Sequence, residues 1–167
     1  MKSRLNTRII LLLILVPFAT SCEKPKISDD QHLLETLYTN SLDTLTIENN
    51  RYFLETDLSR NMMPGGPIPT KRRLCALVFL VRADSLAIST NITVVKLYVI
   101  NYPQIWISEP DDSNLSQVPD FKLDKISIDG PEWDTDIYVD VVIEVVNSST
   151  KDNYLLIAQH QYIQKLE

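Results

Sequence analysis

Leu74-Cys75-Ala76-Leu77-Val78-Phe79-Leu80-Val81 is the stretch that decides the fold. Successive side chains of a strand point to opposite faces of a sheet, and here all of them are apolar. As a strand this run needs cover on both sides, which predicts a central position.

Immediately upstream, Lys71-Arg72-Arg73 is the chain's single basic cluster, and it reads as a solvated strand end that discourages edge pairing. Before it, Asn61 to Thr70 holds Pro64-Gly65-Gly66-Pro67 and Pro69, which neither a helix nor an interior strand accepts, so a loop is expected. Further back, Leu42 to Glu48 and Arg51 to Ser59 alternate apolar and polar residues. Asn49-Asn50 between them reads as a hairpin turn, because Asn tolerates positive φ. Leu33, Leu34, Leu37 and Tyr38 recur at helical spacing, with Ser28 and Gln31 in the relation of a capping box.

Downstream, Asn91 to Ile100 is rich in Val and Ile and predicts a strand. Asn101 to Gln104 turns it, and Ile105-Trp106-Ile107 returns with the Trp on the face opposite the two Ile residues. Glu109 to Asp120 is a polar loop, Phe121 to Ile128 alternates, and Asp129-Gly130-Pro131 breaks the chain. From Asp136 to Val146, Ile137, Val139, Val141, Ile143 and Val145 share one face. The last strand, Tyr154 to about Gln164, is read as an unbroken alternation with Tyr154, Leu156, Ala158, His160 and Tyr162 on one side.

About eight short strands, polar turns and little helix predict an all-β fold, an antiparallel β-sandwich, with a small closed β-barrel as the alternative. In strand count and length the pattern over 42–167 resembles immunoglobulin and fibronectin-type sandwiches. It lacks the Cys-Trp-Cys arrangement of true immunoglobulin domains.

At the N-terminus, Lys2, Arg4 and Arg8 precede an apolar run from Ile9 to Ala19, too short for the ~20 residues of a spanning helix. A basic lead, a short apolar run and small residues form the pattern of a secretory signal peptide. Ala19-Thr20-Ser21-Cys22 resembles the lipobox of bacterial lipoproteins, and Glu23-Lys24-Pro25-Lys26 is similar to the tether of such proteins in Bacteroidota. The same small residues also fit ordinary signal peptidase. The resemblance implies cleavage after residue 21, a lipid on Cys22, a tether and short helix over 22–41, and one domain over 42–167. It also implies export and attachment to the outer membrane.

Without residues 1–21, thirteen Lys and Arg remain against twenty-two Asp and Glu, a formal net charge of −9. Nucleic acid and anionic lipid are attracted to clustered positive charge, so neither is an expected partner. Membrane attachment is then left to the lipid. With Cys22 lipidated, Cys75 has no partner in the chain and reads as a small buried hydrophobe.

The residues suggest little catalysis. His32 and His160 are the two histidines, and neither the Gly-x-Ser-x-Gly elbow nor a zinc-type His pair occurs. Asp129, Glu132, Asp134 and Asp136 cluster at a strand entry, where oxygen ligands on a loop could suit Ca²⁺, with Asp111 and Asp112 approaching from another loop. The spacing is not that of an EF-hand, and solvated loop charge is the simpler reading. Tyr102, Trp106, Trp133 and Tyr138 lie near turns, where a sugar-binding sandwich would display an aromatic platform, although core packing is the commoner role of Trp.

The expectation is a non-enzymatic, lipid-tethered β-domain that presents a surface to a protein partner in the envelope or outside the cell, with no cofactor. It requires an exposed apolar or aromatic patch. A carbohydrate-binding module would instead expose Trp106 or Trp133, and a carboxylate- or Ca²⁺-dependent hydrolase would gather the four acids of 129–136 around one cavity.

Overall fold

The structure is a computed structural model, and it describes residues 25–62, 72–113 and 115–166. The segment expected to be a leader, Cys22, Pro64 to Pro69 and Lys71 lie outside the described residues. In chain order the elements are β1 (Lys26–Ser28), α1 (Gln31–Asn40), β2 (Ser41–Leu42), β3 (Leu45–Ile47), β4 (Asn50–Asn61) and β5 (Leu74–Arg82). They continue with β6 (Ile92–Asn101), β7 (Gln104–Ser108), β8 (Asp111–Asp112), β9 (Lys122–Ser127), β10 (Tyr138–Asn147) and β11 (Asp152–Leu166). The fold is all-β, with one short helix among the described residues.

The strands form one curled, mixed sheet in the order β1-β7-β6-β10-β11-β4-β5-β9-β8, with β2 beside β11 and β3 beside β4. Neither end strand pairs with the other, so the sheet makes a half-barrel and not the closed barrel of the alternative expectation. The antiparallel expectation fails in two places, where β11 runs parallel to β4 and to β2. No tight turn joins β11 to either partner, and a tight turn is what would force antiparallel pairing.

One core takes side chains from both arms of the curl. Leu54, Leu58, Leu74, Val78 and Leu80 of one arm share a cluster with Leu97, Val99, Val141, Ile143 and Leu156 of the other. A second cluster lies outside the sheet, where Leu34 and Leu37 of α1 pack on Tyr98, Ile100, Ile105, Val142 and Ile157. Burying each of these Leu side chains is worth ~1.5–3 kcal/mol, which is why a short helix with no acidic residue in its first turn holds its place. Its cap is Asp30, whose carboxylate accepts from the backbone N–H of His32 at 2.9 Å and Leu33 at 3.3 Å. The Ser28 hydroxyl stands two residues too early and accepts from Asp30 N instead.

The helix also corrects the reading of the opening stretch. β5 is interior, between β4 and β9, but only one of its faces is fully covered. Leu74, Ala76, Val78 and Leu80 are buried, whereas Cys75, Leu77 and Phe79 are half-buried. The strands sealed on both faces are β6, through Leu97, Tyr98, Val99 and Ile100, and β10, through Val141, Val142 and Ile143. Those strands lie beneath α1. On the outer face of β5, Lys122 pairs with Glu55 and its ammonium sits 5.5 Å from the Phe79 ring centroid. Long charged side chains there take the place of a second layer.

The first hairpin is real but turns one residue earlier than expected. Ile47 pairs with Asn50, leaving Glu48 and Asn49 as the two turn residues, both at positive φ. That is the two-residue geometry whose twist matches the flanking strands. The fold also starts earlier than residue 42, because Lys26–Ser28 already pair with Ile105–Ile107.

Candidate functional site

The exposed aromatic surface is built by an irregularity in β11. Val142 pairs with Ile157 and Val141 with Ala158, but Val139 pairs with Gln161, so one extra residue intervenes on β11. This is a β-bulge, and His160 within it has φ 54°. Side chains alternate with period two, so one inserted residue moves every later side chain to the other face. Tyr162 is thereby turned from the core side, where Leu156 and Ala158 lie, to the outer face opposite Tyr138. Ile163 takes the inward position and is fully buried.

The two rings meet with centroids 5.4 Å apart and planes tilted by 53°. Tyr138 is 65% exposed and Tyr162 42% exposed. The register that sets Asp140 opposite Ile100 brings Tyr102, 74% exposed in the β6–β7 turn, to the same end of the sheet as Tyr138. Tyr38 reaches this end from α1 and donates its hydroxyl to Asp140 Oδ2 at 2.6 Å. Asp140 Oδ1 accepts from the backbone N–H of His160 at 2.8 Å, so one carboxylate holds both the helix and the bulge. Asp136, at φ 64°, accepts from the Tyr162 hydroxyl.

These contacts set the acidity of the phenols. Burial, followed by the hydrogen bond to Asp140 and that residue's charge, pushes Tyr38 well above the usual tyrosine range. Tyr162 is raised first by its hydrogen bond to Asp136. Both remain hydroxyl donors at neutral pH, and the carboxylates beside them take part in no ion pair with a described residue.

The tryptophans do not make the platform. Trp106 is 0% exposed inside the main core, and Trp133 is 9% exposed. The Trp133 indole N–H donates to Gln104 Oε1 at 2.9 Å, and its carbonyl accepts from the buried Arg60 guanidinium. A stacked sugar needs an open ring face, and neither indole offers one.

Nor do the four acids of 129–136 converge. Among the described residues no group of three or more His, Cys, Asp or Glu is placed to hold a metal ion. Asp129 lines a polar cleft of about 520 Å³ together with Lys26, Lys96, Glu109, Asp111 and Ser127. Asp136 belongs to the tyrosine face, Glu132 and Asp134 are exposed, and Asp112 pairs with Lys125. A second, mainly apolar groove of about 440 Å³ runs under α1, lined by Leu33, Leu37, Leu42, Tyr98, Tyr154 and Leu155.

Of the remaining candidates, His32 and His160 are exposed and Arg72 lends its carbonyl to Arg60 Nε at 2.7 Å. Cys75 is a half-buried free thiol whose pKa is raised, first by burial and then by Asp57. Sequence reasoning singled out Tyr102 and Tyr138, and it missed Tyr38 and Tyr162 as members of the same surface. The chain matches no protein-family model, no curated protein and no solved structure.

Proposed function

We propose that this is an exported β-domain, anchored through a lipid on Cys22, that acts without catalysis by binding a protein partner through its tyrosine face. The observation that carries the proposal is the exposed Tyr138–Tyr162 pair, flanked by Tyr38 and Tyr102 at one end of the sheet. Tyrosine gives a large contact area for little rotamer entropy and is enriched where proteins meet. We read the two arms of the half-barrel as the layers of an immunoglobulin-like or fibronectin-like sandwich, supported by the single core that both arms share. The leader and the Cys22 lipobox supply the anchor in this reading.

The test is a photo-crosslinking residue placed at position 138 of the full chain, in the cells that make it. A discrete protein adduct in near-equal amount, lost when Tyr162 and Tyr102 are replaced by Ser, is the expected result. Absence of any protein adduct from position 138, with a control position on α1 equally silent, would sink the reading. A carbohydrate role has one favouring observation, the two carboxylates beside exposed rings. Glycan binding measured on the same protein is therefore the first alternative to examine.

A further inference from the structure

We infer that the tyrosine face recognises a cationic side chain, Lys or Arg, projected by the protein partner into the angle between Tyr138 and Tyr162. This rests on the reading of that face as a contact surface and adds the chemistry of what it contacts.

The ring geometry is the first argument. Two phenols tilted by 53° with centroids 5.4 Å apart form a corner and not a flat shelf. A pyranose ring stacks on a flat face, whereas a cation is attracted by several ring faces converging on it, as in aromatic cages. The Tyr162 hydroxyl also donates to a carboxylate, which leaves its ring richer in electron density and a better partner for positive charge.

Charge complementarity is the second argument. Asp136 and Asp140 flank this corner, and their acceptor contacts come from neutral donors: the Tyr162 and Thr135 hydroxyls on Asp136, the Tyr38 hydroxyl and the His160 amide on Asp140. The ion pairs of the described residues engage Asp84, Glu144, Glu55 and Asp112, and leave these two carboxylates out. A Lys or Arg brought to the open side of this corner would find two carboxylates that no ion pair with a described residue engages. The acidic excess of the chain favours the approach of such a partner from a distance.

The corner is also held by the backbone around it. Asp136 N donates to Ile163 O and Ile163 N to Ile137 O, both at 3.0 Å, which ties the residue after Tyr162 to the two residues ahead of Tyr138. The bulge at His160 is tied to Asp140. The aromatic corner is thus formed before any partner arrives, which lowers the ordering cost of binding.

The experiment is a titration of the full-length protein in detergent micelles, with tyrosine-ring NMR signals as the readout. The probes are acetylated, amidated hexalysine and hexaarginine, a neutral Gly-Ser peptide of the same length, and maltoheptaose. The expected result is saturable shifts of the Tyr138 and Tyr162 rings with either basic peptide. Binding should weaken about fivefold in a Tyr138→Ser/Tyr162→Ser variant, which keeps every carboxylate, and stay within about twofold in the Tyr138→Phe/Tyr162→Phe variant. Equal affinity of the serine variant and the wild type would show generic attraction to an acidic chain and overturn the inference. So would shifts with maltoheptaose and none with the basic peptides. A protein adduct from position 138 combined with silent basic peptides removes the cation and leaves the partner; silence in both removes both.

Discussion

The hydroxyl of Tyr38 on α1 and the carboxylate of Asp140 on β10, one hundred and two residues apart in sequence, are joined at 2.6 Å. That contact ties the helix to the sheet at the edge of the tyrosine face. Replacing Tyr38 by Phe keeps the ring and removes the bond, and a hydrogen bond to a charged group is worth ~1.5–3 kcal/mol. We expect a loss of about 1–2 kcal/mol in denaturant unfolding, at the lower end because the contact is solvent-accessible.

Burial of Tyr38, followed by its bond to Asp140, gives a pH dependence of known sign. Tyr38 is raised in the folded protein above its ordinary value of 10.0, and Tyr52, Tyr98, Tyr154 and Tyr162 shift in the same direction. Above about pH 10 the unfolded chain loses these protons while the folded one retains them, so unfolding releases protons and stability falls as pH rises. Below that pH the contribution is fully present. Unfolding midpoints followed through pH 10 should fall less steeply for Tyr38→Phe than for the wild type; parallel curves would show that Tyr38 does not take part.

Gly130 admits no side chain. A Cβ there would lie 2.6 Å from the Leu74 carbonyl oxygen and 2.8 Å from both Leu74 Cβ and Trp106 Cζ3. Gly130 N also donates to Leu74 O at 3.1 Å, so the backbone cannot retreat without breaking that bond. Gly130→Ala is expected to cost ~1–3 kcal/mol and to change the near-ultraviolet circular dichroism of the buried Trp106.

Leu37 is the centre of the helix contact, fully buried against the outer face of β6 and β10. Leu37→Ala should cost ~2–5 kcal/mol. Amide exchange should quicken over α1 first and leave β4 and β5 protected, because those strands belong to the other core.

Cys75 should be a slow thiol. Its pKa is raised by burial and by Asp57, so the reactive thiolate is scarce at neutral pH. Alkylation in the folded protein is expected to be at least about tenfold slower than in denaturant, and equal rates would contradict the half-buried position.

Most strands could be read from alternation, and the limits of that reading have a physical pattern. Alternation puts the ends of β10 within two residues of where they lie, and its Val139, Val141, Ile143 and Val145 do face the core. The double cover assigned to β5 belongs to β6 and β10, because periodicity reports that a face is apolar and not which element covers it. The tyrosine face was half visible. Tyr102 and Tyr138 stand beside turns, but unbroken alternation puts Tyr162 on the side of Leu156 and Ala158. Nothing in Ala158-Gln159-His160-Gln161 spells a bulge, since His160 takes a positive φ that glycine or asparagine would have announced. For Trp106 and Trp133 residue type favours the core over a platform, and both are buried.

β11 carries a consequence for how the chain comes to be folded. It pairs with β10 from Asp152 to Tyr162 and with β4 from Ile163 to Leu166, so one strand joins the two arms. A chain emerging from its N-terminus presents the open edges of β10 and β4 until β11 has followed them. The sheet is then completed by its latest-arriving strand, and any cut ahead of Ile163 leaves two arms that share a core but no common seam.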